Sequence, residues 1–458
     1  MADQADEGDL IETAISHPEH AARLDALKRV TLPASLEEIV LRGDGDVPKH
    51  ALRRLDDASA LARIACAAPA RATALLAVGK LKDESALARV AREAGDLVVA
   101  KTAVKKVAND SLLMEVASAD VPAMIAKLAV KRLDDPSLLS RVVEVVESAH
   151  LRKLAVARID DEHRLLAVAC TDDDEGTRAA ALAKLQTRST IGKVASDSEF
   201  ADTRELALER VRDGNLRARI AIEDDDQGVR AAAMSRLSNP RLLARVAREA
   251  RHADTRDDAV KQLKDEAVLA EVVGDDASPR VRERALRRLD DQKLLADVVA
   301  TDTAWRVRRD AARRLKDREH LAAIALDDPA WQVREAAARR VRDPVVLTKL
   351  AKWDKAWQVR KAAVQRVRDE GVLVNRGRND EHWRVRLAAL ERVRDEHLLE
   401  NRAQHDEYVA VRRLAVGRVS ARRVLREISE ADGDEDVRDA ARARLAEVDA
   451  ARTAGARQ

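Results

Sequence analysis

The chain repeats itself every 26 residues. Trp305-Arg306-Val307-Arg308, Trp331-Gln332-Val333-Arg334, Trp357-Gln358-Val359-Arg360 and Trp383-Arg384-Val385-Arg386 each begin 26 residues after the last, and Tyr408 to Arg412 is a degenerate fifth copy. A unit this short cannot bury its own apolar face, so a fixed beat points to a solenoid whose neighbours complete each other's core. With the Arg of Val-Arg as position zero, the register steps back from Arg438 through Arg412, Arg386, Arg360, Arg334, Arg308, Arg282, Arg256, Arg230, Arg204 and Arg178 to Arg152. It continues through Ala126, Ala100, Ala74 and Pro48 and reaches Arg23 after a one-residue slip. The expected fold is an all-α solenoid superhelix of about seventeen two-helix repeats with a 26-residue period.

Periodicity inside the unit assigns the helices. Val at minus one, Ala at plus three and Val, Leu or Ile at plus seven recur at i, i+4 and i+8, one stripe of an α-helix. Alanine stands at plus three in every unit, which implies close helix–helix approach at that point. A second apolar cluster at plus thirteen to seventeen, as in Leu321-Ile324-Ala325 and Leu243-Val246-Ala247, predicts a second, shorter helix. Its start is marked by Asp343-Pro344, Asp135-Pro136 or Asn239-Pro240, an N-cap acceptor before a proline at the first helical position. Asp328-Pro329 predicts the same start for the first helix.

A recurring Asp, four residues, Val-Arg accompanies this pattern at Asp276/Arg282, Asp302/Arg308, Asp328/Arg334, Asp354/Arg360, Asp380/Arg386 and Asp406/Arg412. On these motifs the chain resembles the HEAT-repeat family of α-solenoids, in short units close to the bacterial leucine-rich-repeat variant. The resemblance covers almost the whole chain and implies a ladder of Asp–Arg contacts between repeats. Lys or Arg also stands at plus six in every unit except that of Gln262. Its stem is expected to pack beside the apolar stripe and its head to snorkel outward.

One domain over residues 1–458 is expected, in sub-blocks 1–140 (where four units lack the Arg), 141–300, 301–420 and a cap and tail at 421–458. Net charge is only +2. Residues 301–420 nevertheless hold 28 Lys and Arg against 19 Asp and Glu, a balance of +9, and the remainder carries 56 against 63, or −7. All five tryptophans lie in this basic block.

Trp305, Trp331, Trp357 and Trp383, at minus three, and Lys316, Arg342, Arg368 and Arg394, at plus eight, are expected to form parallel aromatic and cationic rows on one outward face. Arg376 and Arg402 interrupt a plus-sixteen position that is otherwise apolar, which implies a carboxylate or ligand for each. His382, His397 and His405 lack regular ligand spacing and read as surface residues. These rows imply a protein partner, because Trp and Arg favour interface anchors. The alternative is nucleic acid, since aromatic rows with cations also suit single strands.

No phosphate-binding glycine loop, metalloprotease helix, paired Cys-x-x-Cys or nucleophile elbow occurs, so neither enzymatic activity nor a cofactor, metal or small-molecule substrate is expected. Cys66 and Cys170 stand four repeats apart, too far for a disulfide. With two cysteines, an acidic start from Met1 to Leu10 and no long apolar run, a cytoplasmic protein without membrane contact is expected. The tail, Ala451 to Gln458, is expected to fray.

Overall fold

The computed structural model describes residues 2–455, and they form 34 α-helices joined by tight turns. The chain divides into two compact units, one of residues 1–220 with 224–235 and the other of 221–223 with 236–458. The division lies within 220–236, away from the sub-block limits expected from surface composition. Within each unit, helical hairpins stack in sequence order, the architecture that the HEAT resemblance implies.

Two kinds of helix alternate. The ladder helix carries Val-Arg, as in Trp305–Arg314, Trp331–Ala338 and Trp357–Val364. The backing helix follows, as in Arg318–Asp327 and Pro344–Trp353. Arg318–Asp327 packs against the ladder helix after it, Trp331–Ala338, so the close hairpin straddles two beats of the sequence. The chain opens accordingly with a backing helix, Ala2–Ser16, which packs on His20–Arg29 and Pro33–Arg42. Glu7 in it accepts from the Thr31 and Leu32 amides at the start of Pro33–Arg42.

Backing helices are not the shorter ones. Pro344–Trp353 has 10 residues where Trp331–Ala338 has 8. In the ten-residue ladder helices the plus-seven residue marks the end: Leu81, Val107 and Leu315 sit at the C-cap in extended backbone, yet are buried. The third member of the sequence stripe thus plugs the core from a turn.

The plus-three alanines explain the packing. From Ala51 to Ala441 each is wholly buried. In the second unit, ladder helices approach one another more closely than backing helices do, as small side chains at the contact allow. Backing helices start where Asp or Asn was expected to cap them. Asp343 accepts from the Val345 amide at 2.7 Å, Asp135 from Ser137 and Asn239 from Arg241. Asp328-Pro329 is different: the ladder helix begins at Trp331, and Asp328 instead closes the turn by accepting from the Ala330 amide at 2.8 Å.

The last helix runs unbroken from Glu435 to Gly455, so residues 451–455 continue it, and the remaining tail residues lie outside the described ones. No helix among the described residues is long and apolar enough to cross a membrane.

Candidate functional site

Arg308 shows how the ladder is wired. Its Nε and Nη2 reach Asp328 Oδ2 and Oδ1 at 2.9 and 3.1 Å, and its Nη1 donates to the carbonyls of Asp302 and Thr303. The arginine therefore takes the backbone of its own aspartate and the carboxylate of the next. The same fork joins Arg282 to Asp302, Arg334 to Asp354, Arg360 to Asp380, Arg386 to Asp406 and Arg412 to Asp432. Bidentate geometry fixes both partners, and the aspartate also holds its own turn. Burial pushes the Asp406 carboxyl up, but donors from Arg386, the Tyr408 amide and Arg402 together hold it below the usual carboxylate range.

Where Ser198 replaces the ladder aspartate, Arg178 donates instead to Thr203 Oγ1 and Asp202, with its guanidinium 3.8 Å from the centroid of Phe200.

Arg376 and Arg402 do not enter the core. Each reaches along its own helix to a ladder carboxylate, Asp380 or Asp406, at 3.4 Å. Two guanidiniums therefore share each of these carboxylates.

The plus-six row does not snorkel outward. Lys80 Nζ donates to the carbonyls of Leu52, Arg53 and Leu55, and Lys106 to those of Val78, Gly79 and Leu81. Arg158, Lys184, Arg210, Arg288, Arg314 and Arg418 do the same one repeat back. Orphan carbonyls and the negative helix end attract a cation there. This second ladder had a signal in the sequence, the periodic Lys/Arg, but its carbonyl partners have no sequence mark.

Trp305, Trp331, Trp357 and Trp383 each open a ladder helix, and they differ in what covers them. Trp357 stacks on His382 at 4.0 Å between centroids and 8° between planes. His382 leads to Trp383 at 6.2 Å, and Trp383 to Tyr408 at 5.7 Å. Arg384 lies over both Trp357 and Trp383, at 5.2 and 4.9 Å. Arg306 and Arg309 cover Trp305. Trp331 is 36% exposed, and Trp353, at the end of a backing helix, is 78% exposed.

His382 is thus part of the aromatic stack, whereas spacing alone suggested a plain surface residue. Burial, helped by Arg384, lowers its pKa, and its Nδ1 accepts from the Arg384 amide at 3.2 Å. His397 is exposed and stands beside Glu400.

The two expected rows do not share a face. Trp305 opens its helix, whereas Lys316 lies beyond the C-cap Leu315. Arg342, Arg368 and Arg394 likewise stand past the ends of their helices, all exposed. Helices of 8 to 10 residues are about 12–15 Å long, so the aromatic and cationic rows rim opposite ends of the ladder layer.

No family model matches the sequence, and no curated protein matches it. Among solved structures, the chain is similar to one of the UNC-45 chaperone at 12% identity, covering 97% of this chain and 56% of that one, with a TM-score of 0.20. It is similar to importin beta at 12% identity, 96% and 75% coverage and a TM-score of 0.25. A structure from work on cadherin and beta-catenin gives 13% identity, 96% and 99% coverage and a TM-score of 0.19. The chain thus spans about half the length of the UNC-45 structure. None of these likenesses assigns it a ligand.

Proposed function

We propose that the chain is a non-enzymatic protein-interaction solenoid whose main contact strip is the aromatic end of the ladder helices between Trp305 and Tyr408. The observation that carries this reading is the partly exposed aromatic row with Arg384 laid across it. Rigid, pre-stacked aromatics lose little entropy on binding, and Trp and Arg dominate interface anchors. Trp331, exposed and outside the stack, is the tryptophan of the row with most free surface. A partner that also meets Lys316, Arg342, Arg368 and Arg394 must cover the length of the helix. The faces of Trp357 and Trp383 are already occupied by His382, Tyr408 and Arg384, which leaves less room for stacked bases and disfavours a single-stranded nucleic acid.

The test compares native-cell affinity capture by the unaltered chain and by the Trp331→Ala/Arg384→Ala variant, with a fluorescent oligonucleotide titrated over a range of salt. Loss of a defined protein from the variant's capture is the expected result. Equal capture, or oligonucleotide binding that falls log-linearly with salt and depends on these two residues, overturns the reading.

A further inference from the structure

A second feature lies far from this strip in sequence, wholly within residues 188–219 of the first unit. Between the backing helices Arg188–Asp197 and Gly214–Glu223 is a cleft of about 580 Å³. They meet at Gly192, where an added Cβ would come within 3.0 Å of Leu216 Cδ2. At plus thirteen, where other units place Leu243, Leu295 or Leu321, this one has Arg217. Its guanidinium is buried at 2% exposure and donates to the carbonyls of Val211, Leu208 and Ala232.

The cleft is lined by five cations, Arg188, Lys193, Arg210, Arg212 and Arg219, against one carboxylate, Asp213. Arg210 is engaged with the Leu182 and Leu185 carbonyls, and Asp213 caps its helix through the Asn215 amide. The other four cations make no hydrogen bond or ion pair among the described residues. This is unlike the ladders, where Arg308 meets a carboxylate and Arg314 a pair of carbonyls. It is also unlike the cleft of about 520 Å³ at Ser140–Asp173, where Glu144, Glu147, Asp172 and Asp173 face Arg152 and Arg164. Ile191, Val211 and Leu216 give the cationic cleft an apolar wall.

We infer that this cleft binds a multiply phosphorylated small molecule, its phosphates shared among Arg188, Lys193, Arg212 and Arg219. Guanidinium forks match phosphate oxygens in pairs, and the volume is that of a small-ligand site. An extended acidic chain fits less well, because the cations converge on one bounded cleft. The signal was present in the register: Lys193 and Arg219 share position plus fifteen in adjacent repeats, and Arg212 stands between them at plus eight.

The experiment is calorimetric titration of the full chain with sodium tripolyphosphate and, separately, with ATP, both free of divalent cations. Binding of either probe supports the site, and the pair tells inorganic from organic phosphate. Arg212→Ala/Arg219→Ala should weaken it by roughly tenfold or more, since two charge-assisted contacts are lost. Lys82→Ala/Lys101→Ala, which removes two exposed cations elsewhere, should leave it unchanged. All four positions are exposed, and circular dichroism checks that helicity is retained. The inference is overturned if neither probe binds, if both variants weaken binding equally, or if polyglutamate binds here while both phosphates fail.

Discussion

Arg386 grips Asp406 across the repeat boundary with two parallel bonds, Nε to Oδ2 at 2.8 Å and Nη2 to Oδ1 at 2.7 Å, both partners buried. Asp406 also takes Arg402 and the amide of Tyr408. Asp406→Ala therefore strands two guanidiniums at once. The expected cost is about 3–5 kcal/mol, felt locally because repeat arrays unfold in pieces. Hydrogen exchange over 383–416 should rise, while exchange near Ala51 should not change. Acid acts on the same bond: Asp406 is held below its ordinary pKa, so its contribution is complete above about 4 and fades as pH falls through the folded value.

His382 makes the aromatic stack pH-sensitive. Its pKa in the folded chain lies below the ordinary 6.5, so between the two values the unfolded state binds more protons. Stability should therefore rise with pH up to about 6.5 and fall as acid protonates His382 against Arg384. Thermal midpoints measured across this window should slope in the unaltered chain and slope less in His382→Ala. Identical slopes would show that His382 does not carry the effect.

The plus-six ladder needs a cation that can donate, and Lys80, Lys106 and Lys184 fill the place as well as arginine does. Arg418→Lys should then be tolerated. Arg418→Ala should cost about 1–3 kcal/mol by leaving the Leu390 and Val393 carbonyls without their donor. Urea unfolding of both variants decides this, and an equal loss in the two would show that guanidinium geometry matters here.

Close approach of the ladder helices rests on alanine. Ala337→Leu should destabilise by about 1–3 kcal/mol or more, because a larger side chain must force Trp331–Ala338 away from its neighbours. Ala250, also buried but at a turn, is not part of that contact, and Ala250→Ser is expected to be milder. Melting temperature distinguishes the two substitutions.

The 26-residue beat, the plus-three alanine and the Asp or Asn before the backing helices were enough to place most helices and turns, because each records a local need: a stripe to bury, a contact to keep small, an amide to cap. Which unit leans on which was not local. The sequence reads Trp305–Arg314 and Arg318–Asp327 as one pair, but packing joins Arg318–Asp327 to Trp331–Ala338. Likewise the periodic Lys/Arg at plus six is plain in the sequence, but its carbonyl partners 25 to 28 residues away exist only once helices stack. The insertion of His382 between two indoles, and the gathering of Arg188, Lys193, Arg212 and Arg219 around one cleft, depend on how far neighbouring helices approach. A one-dimensional pattern fixes spacing along the chain, and only the tertiary structure sets the distances across it.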